Sequence, residues 1–180
     1  MGTQVKLVSM TDAEFAAYEQ AEAEEYAGEN VLAGYWREDE AIERARKAHR
    51  LLLPLGAATP GHHFCHVVDI GSGARVGAIW WFEDRDGREP RAFVYHVLIE
   101  PHLRRKGYAS AALLAVEAQA RAQGMAAVGL HVFAHNPGAI RVYERLGFRT
   151  TSLNMLKPLE RQAPHDRNRG RTGGGRQRSP

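Results

Sequence analysis

The fold is decided by the stretch Val97–Ala109, which reads VLIEPHLRRKGYA. Its first residues complete an apolar strand predicted over residues 92–99, which Pro101 ends. An amphipathic helix rich in Ala and Leu is predicted to follow, from Arg105 to Gln123. A turn that opens a helix has unpaired backbone N–H groups, and the positive end of the helix dipole lies behind them. The stretch therefore predicts an anion-binding turn between a strand and a helix.

Gly107 and three basic residues give this turn its chemical character. A glycine allows the backbone to approach a phosphate closely, and Arg104, Arg105 and Lys106 add positive charge. Basic residues before a helix are also ordinary on a solvated surface. The turn alone leaves both interpretations open.

Hydrophobic periodicity predicts the elements on either side of the turn. Before it lie a short strand around Val5–Leu7, helices over 12–27 and 38–52, and strands over 64–70 and 76–82. Beyond the first long helix after the turn lie a strand over 127–133, a helix over 137–146, and room for a final strand or hairpin over 148–159. The order β-α-α-β-β-β-α-β-α-β(β) mixes antiparallel hairpins with a β-α-β crossover. We therefore predict an α/β fold with a mixed, largely antiparallel central sheet and helices on both faces.

The composition fits one folded domain followed by a polar tail. The chain has 180 residues, of which 44% are hydrophobic and 25% are charged, as expected of a globular domain. Its net charge is +3, but the segment 161–180 alone carries six arginines against one aspartate and has no large apolar side chain. We predict a folded domain over residues 1–160 and a disordered Arg/Gly-rich tail over residues 161–180.

The sequence gives no sign of secretion or membrane insertion. Cys65 is the single cysteine, so no intrachain disulfide can form. The residues from Met1 to Val8 lack the apolar run of a signal peptide, and the chain has no apolar stretch of about 20 residues. We expect a cytoplasmic protein without a membrane partner.

A second motif, Asn136–Phe148, reads NPGAIRVYERLGF and follows about one strand after the anion-binding turn. Together the two motifs resemble the GNAT superfamily of N-acetyltransferases. Arg104-x-x-Gly107-x-Ala109 is similar to the R/Q-x-x-G-x-G/A pyrophosphate loop of that family. Asn136–Phe148 is similar to its N-x-x-A-x-x-x-Y-E-x-x-G-F block, and the element order matches from Val5 to Leu159.

The resemblance implies a single-domain GNAT fold and an N-acetyltransferase with acetyl-CoA as co-substrate. The acceptor would be a primary amine on a small molecule, a peptide N-terminus or a lysine, and the amine would attack the thioester directly. The implied cofactor-binding residues are the pyrophosphate loop, the strand that pairs with pantetheine, and two contacts near the thiol: Val97, Leu98, Ile99, Arg104, Arg105, Lys106, Gly107, Tyr108, Ala109, Asn136 and Tyr143. The amide around Ile99 would face the thioester carbonyl, and Tyr143 would be the general acid at sulfur.

Two of these residues also have ordinary structural interpretations. Tyr143 is at the helical spacing of a core aromatic whose hydroxyl bonds to the backbone. Asn136 precedes Pro137 and is a natural N-cap of the helix that follows.

The resemblance leaves the general base open among three residues. His131 lies on the predicted strand before Asn136, where ribosomal-protein alanine acetyltransferases of the superfamily carry Glu. His96 lies on the strand that receives the thioester, where related bacterial sequences often have Asp, and Glu83 ends the strand before it. A histidine can exchange a proton near neutral pH. For each residue, a surface or hydrogen-bonded side chain is the competing interpretation.

The remaining histidines do not predict a metal centre. The patterns His62-His63-x-x-His66 and His131-x-x-x-His135 lie on predicted strand or loop, where residues four apart do not share a helical face. We therefore expect no metal.

A non-catalytic alternative also fits part of the sequence. It is an acyl-CoA-sensing or interaction module whose Arg-rich tail binds nucleic acid. Tyr143 and Asn136 favour catalysis, because a sensor needs no acid. Nucleic-acid binding is expected at most weakly, through the tail, and a homodimer is left open.

Overall fold

The computed structural model describes residues 2–157 and 159, in which we find five strands and four α-helices. The strands are β1 (Val5–Ser9), β2 (His62–Asp69), β3 (Arg75–Asp84), β4 (Arg91–Ile99) and β5 (Ala127–Leu130). The helices are α1 (Asp12–Leu32), α2 (Glu38–Leu52), α3 (Tyr108–Ala122) and α4 (Pro137–Arg145), with short 3-10 turns at Gly56–Ala58 and Pro101–Leu103. The chain order β1-α1-α2-β2-β3-β4-α3-β5-α4 confirms the predicted α/β order as far as α4.

Several predicted boundaries were wrong. Helix α1 continues five residues beyond the predicted end at Ala27, α3 begins at Tyr108 instead of Arg105, and β5 ends at Leu130 instead of Phe133. Residues 148–157 and 159 contain no strand, so the predicted final strand or hairpin is absent from the described residues.

The chain divides into two units at Arg149. The first unit, up to Arg149, holds every helix and strand given above. In the second unit, residues 150–157 and 159 are exposed and have no regular secondary structure. The predicted tail, 161–180, lies outside the described residues.

The strands form one sheet in the order β1-β2-β3-β4-β5. The first three pairs are antiparallel, and β4 and β5 are parallel, because α3 crosses between them. This confirms the mixed, largely antiparallel sheet.

Helices cover both faces of the sheet, as predicted. Trp81 of β3 belongs to the core that α3 completes with residues such as Leu113. The adjacent Trp80 belongs to a second core with Phe15 of α1. Neighbouring residues of a strand point to opposite faces, so α1 and α3 lie on opposite sides.

Strand β4 contains a β-bulge just after the last residue that pairs with β5. Trp80 pairs with His96, whereas the next residue of β3, Trp81, pairs with Val94, which leaves Tyr95 as an extra residue on β4. A bulge of this kind bends the strand and increases its local twist. It occurs at the point where β4 and β5 separate.

Candidate active site

Strand β4 has a free edge beyond Val94. Its parallel pairing with β5 covers only Arg91 to Val94, while its pairing with β3 continues to Ile99. Residues 95–99 therefore have β3 on one side and, among the described residues, no strand on the other. Such an edge presents backbone N–H and C=O groups to any extended ligand that lies along it.

The free edge leads directly into the turn before α3. Gly107 is the N-cap of α3 with φ of 87°, and no side chain of a described residue caps this helix. The first intrahelical bond runs from the Ala111 amide to the Gly107 carbonyl, so the amides of residues 108–110 precede it. Arg105 has φ of 66°, the one left-handed non-glycine residue in the described chain. These amides and the helix dipole give the turn the geometry of an anion site.

Two side chains hold this turn in place. The Thr3 hydroxyl donates to the Lys106 carbonyl at 2.6 Å, and Arg104 Nε donates to the Ile99 carbonyl at 3.0 Å. A Cβ on Gly107 would lie 3.3 Å from Thr3 Oγ1. The positive φ and this contact together explain why glycine stands at position 107.

The second motif forms α4 and the residues that flank it. Asn136 is the N-cap, and its Oδ1 accepts from the Ala139 amide at 3.0 Å, so its structural interpretation is correct. Tyr143 is half-buried, packs against the α3-side core and lies 5.8 Å from the Phe148 ring centre. Burial raises the pKa of Tyr143. Within residues 2–157 we find no hydrogen bond to its hydroxyl.

His96 lies on the free edge and faces α1. The Tyr18 hydroxyl is hydrogen-bonded to Nδ1 at 2.8 Å, and Glu25 Oε2 lies 3.4 Å from Nε2. The contact to Glu25 does not have hydrogen-bond geometry, so Nε2 is buried without a hydrogen-bond partner among the described residues. The His96 side chain is only 13% exposed, whereas that of Glu25 is 49% exposed.

The other two base candidates have different surroundings. His131 follows the end of β5, in a loop and not on a strand as predicted; it is exposed and meets the Phe133 ring edge-on at 4.9 Å. Glu83 stands opposite Ala92, in the part of β4 that is still paired with β5. The structure therefore does not bring Glu83 to the free edge.

Glu83 is also already engaged. His63 Nε2 lies 2.8 Å from one carboxylate oxygen, and Arg85 Nε donates to the other at 3.0 Å. Desolvation acts to raise the pKa of Glu83, but these two partners outweigh it and lower the pKa. A carboxylate held in this way is a weak base.

The histidines of the His62–His66 segment have separate partners. Trp80 Nε1 donates to His62 Nδ1 at 2.9 Å, and burial, with His63 nearby, lowers the pKa of His62 to about 4. His66 lies 3.3 Å from Glu14. In the part of the chain that the structure describes, no group of three or more His, Cys, Asp or Glu side chains is arranged to hold a metal ion.

Comparison with known proteins identifies the family. A model of the acetyltransferase (GNAT) family matches residues 17–148. The chain is 33% identical over 153 residues to the uncharacterized N-acetyltransferase YdgE of Bacillus subtilis strain 168, covering 85% of this chain and 97% of YdgE. It is 36% identical over 156 residues to YycN of the same strain, covering 86% and 99%. The crystal structure of YycN superposes with a TM-score of 0.83 over 88% of this chain and 100% of YycN.

The chain belongs to the GNAT acetyltransferase family. It is an acetyltransferase, and the match spans both motifs, the free edge of β4 and most of α1. The fold is shared with a more distant protein, the aminoglycoside N-acetyltransferase AAC(6')-Iy, solved in complex with CoA, which gives a TM-score of 0.57 at 13% identity, covering 88% and 97% of the two chains.

Three residues that contact the candidate site were not found from the sequence. Thr3 supports the turn before α3, and Tyr18 and Glu25 surround His96. No local pattern points to them, because each contacts a residue far away along the chain.

No helix in the described residues combines the length and apolar character needed to cross a bilayer.

Proposed function

We propose that this GNAT acetyltransferase transfers an acetyl group from acetyl-CoA to a primary amine, on a small molecule, a peptide N-terminus or a lysine. The observation that carries the proposal is the free edge of β4, residues 95–99, which continues into the uncapped N-terminus of α3. An extended ligand with a pyrophosphate at one end needs these two features side by side.

The residues present fit acetyl-CoA. The amides of Tyr108, Ala109 and Ser110 and the glycine at position 107 suit a pyrophosphate, with Arg105 and Lys106 adding charge. The backbone of Val97, Leu98 and Ile99 suits the amide groups of pantetheine. The Asn136 side-chain nitrogen is not needed for capping α4, which uses Oδ1, so it can donate to pantetheine.

Acetyl-CoA supplies an acetyl group already activated as a thioester. A backbone amide around Ile99 would stabilise the negative charge that grows on the carbonyl oxygen when the amine attacks. Tyr143 would donate a proton to the departing sulfur. Its raised pKa keeps the phenol protonated at neutral pH, as an acid requires.

His96 is the general base that the geometry favours. An amine is mostly protonated near pH 7 and must lose a proton before it can attack. His96 lies on the free edge, where its Nε2 is buried beside Glu25 without a hydrogen-bond partner. Glu83, in contrast, is engaged by His63 and Arg85 and stands away from that edge. His131 is exposed and lies outside β5.

Acetyl-CoA binding and turnover test the proposal. By calorimetry, Gly107→Glu should weaken acetyl-CoA binding at least about tenfold, because it places bulk and negative charge at the pyrophosphate site. Gly124→Glu is the matched control: Gly124 also has positive φ and follows the other end of α3, where a Cβ meets no atom within 4 Å.

The wild type should then release free thiol from acetyl-CoA in the presence of at least one class of primary amine, above the rate without amine. Equal affinity of the two folded glycine variants for acetyl-CoA would remove the turn from the site. Binding without amine-dependent thiol release would contradict the proposed transfer.

A further inference from the structure

We infer that the acceptor is a primary amine that carries an aromatic ring, and that this ring binds on Tyr95 at the start of the free edge of β4. The inference rests on the proposed function and narrows its acceptor. The observation that carries it is a group of neighbouring aromatic side chains, none of them fully buried, on the α1 side of the sheet. We call this group the aromatic patch; its members are His62, Phe82, Phe93 and Tyr95.

The β-bulge of β4 turns Tyr95 to the α1 side. Neighbouring residues of a regular strand point to opposite faces, so Tyr95 and His96 would normally face opposite sides. The extra residue at the bulge breaks this alternation. His96 is hydrogen-bonded to Tyr18 of α1. The Tyr95 ring is stacked on Trp80 with 4.6 Å between ring centres, and Trp80 packs in the core that contains Phe15 of α1. Both neighbours therefore lie on the same side.

The aromatic patch has a surface that is open to a ligand. Trp80 is 2% exposed, whereas Tyr95 is 37% exposed, so Tyr95 lies outside Trp80 and keeps part of its ring accessible. The Phe93 ring stands at 67° to the Tyr95 ring with 4.9 Å between their centres, and His62 stacks on Phe82 at 4.5 Å. A further ring can pack against such a group in an offset or edge-on arrangement, as aromatic pairs prefer.

The rings of the patch are neutral. Trp80 Nε1 donates to His62 Nδ1 at 2.9 Å, so this nitrogen carries no proton and the imidazole is uncharged. In agreement, burial is the main cause that lowers the pKa of His62 to about 4. Burial and the charge of Asp84 raise the pKa of Tyr95, and Asp84 itself accepts from Arg91 at 2.7 Å. The patch therefore fits a flat apolar group better than a second charged group.

Tyr95 connects the patch to the candidate active site. It is the first residue of the free edge, whose other end, Ile99, leads to the turn before α3. Under the proposed function, acetyl-CoA extends along this edge from the turn, because its pyrophosphate binds there. The end of the edge at Tyr95 is left for the acceptor. An acceptor whose amine reaches the free edge from that end passes the aromatic patch.

The first test measures binding by NMR in the full chain, with and without CoA, and needs no turnover. Phenethylamine should shift the ring resonances of Tyr95 and Phe93. Its saturated analogue, cyclohexylethylamine, should bind about threefold or more weakly, because it cannot make a ring–ring contact. The two probes share a carbon skeleton and an ammonium group, so the difference between their affinities reports the aromatic ring alone.

Two substitutions at one position assign the effect to the Tyr95 ring. Tyr95→Leu keeps an apolar side chain but removes the ring, and should abolish the preference for phenethylamine. Tyr95→Phe is the matched control, because it loses only the hydroxyl, and it should keep the preference. A melting curve on each variant checks the fold. If Tyr95→Leu does not fold, Phe93→Leu replaces it and should reduce the same preference, since Phe93 contacts the Tyr95 ring.

The second test compares kcat/KM for the same two amines with acetyl-CoA. The wild type and Tyr95→Phe should prefer phenethylamine about threefold or more, and Tyr95→Leu should prefer neither amine. A wild type that acetylates both amines without a preference, or a preference that Tyr95→Leu retains, would overturn the inference. If the wild type acetylates no amine, the proposed function is wrong, and the NMR titration still decides whether the aromatic patch binds an aromatic amine.

Discussion

At the scale of single residues, Tyr143 has an observed packing role and a proposed chemical one. Its ring belongs to the α3-side core, while its hydroxyl has no hydrogen-bond partner that we find among the described residues. The hydroxyl is not among the buried polar atoms that lack a partner, so it is accessible although the ring is half-buried. It can therefore meet the thiol end of bound acetyl-CoA, as the proposed acid role requires.

We predict that Tyr143→Phe lowers kcat far more than it lowers acetyl-CoA affinity. General acid catalysis contributes about a hundredfold to ten-thousandfold, so kcat should fall within that range. The ring is retained, so the melting temperature should hardly change. Steady-state kinetics, calorimetry and a melting curve on one sample separate these effects. A folded variant that turns over at the parental rate would show that water, and not Tyr143, supplies the proton.

The residues of the site differ in how far the sequence could identify them. Arg104, Gly107 and Asn136 stand in contiguous motifs whose spacing encodes a turn and a cap, and these are local properties of the backbone. The bond from Tyr18 to His96 joins residues 78 apart, and that from Thr3 to Lys106 joins residues 103 apart. Contacts of this kind depend on how helices cross the sheet, which periodicity does not encode.

At the scale of elements, α1 illustrates the same limit. The sequence predicts its start, and Thr11 caps it in a capping box with Glu14. The predicted end at Ala27, before Gly28, was wrong, although glycine costs a helix interior about 1 kcal/mol relative to alanine. Ala23 and Ala27 pack in one buried cluster with alanines of α2, and this tertiary contact favours continuation of the helix through Gly28.

We predict that Glu14 makes stability sensitive to acid. Hydrogen bonds from Thr11, with Arg75 nearby, lower the pKa of Glu14 from 4.5 to about 2. When the pKa of a carboxylate is lower in the folded than in the unfolded protein, its ionised form stabilises the fold. This stability is fully present above the pKa of the unfolded state and is lost as the pH falls toward the pKa of the folded state. The melting temperature of Glu14→Gln should therefore fall less steeply than that of the wild type between about pH 5 and pH 2.

Thermal unfolding followed by circular dichroism over this pH series measures the effect. Glu24→Gln, on the same helix and exposed, should follow the wild-type curve. Parallel curves for Glu14→Gln and the wild type would mean that the capping box does not control acid stability.

At the scale of the whole molecule, charge is distributed unevenly. Helix α1 carries seven carboxylates and no Lys or Arg, whereas the turn before α3 carries Arg104, Arg105 and Lys106. Under the proposed function, the anionic cofactor meets the basic turn and the cationic amine meets the acidic helix. Opposite potentials of this kind direct the two substrates to different ends of one site.

The last prediction concerns the Arg-rich segment 161–180, which we propose lies outside the folded domain. It has no large apolar side chain to bury, and every residue assigned to the site stands at or before Phe148. A chain that ends at Glu160 should therefore keep its melting temperature to within about 2 °C, which corresponds to at most about 1 kcal/mol for a domain of this size. Its acetyl-CoA affinity should agree with that of the full chain at both low and high salt, because the site contains its own basic residues. A loss of several degrees would show that the segment packs on the domain, and an affinity that falls only at low salt would show that its arginines attract the cofactor at long range.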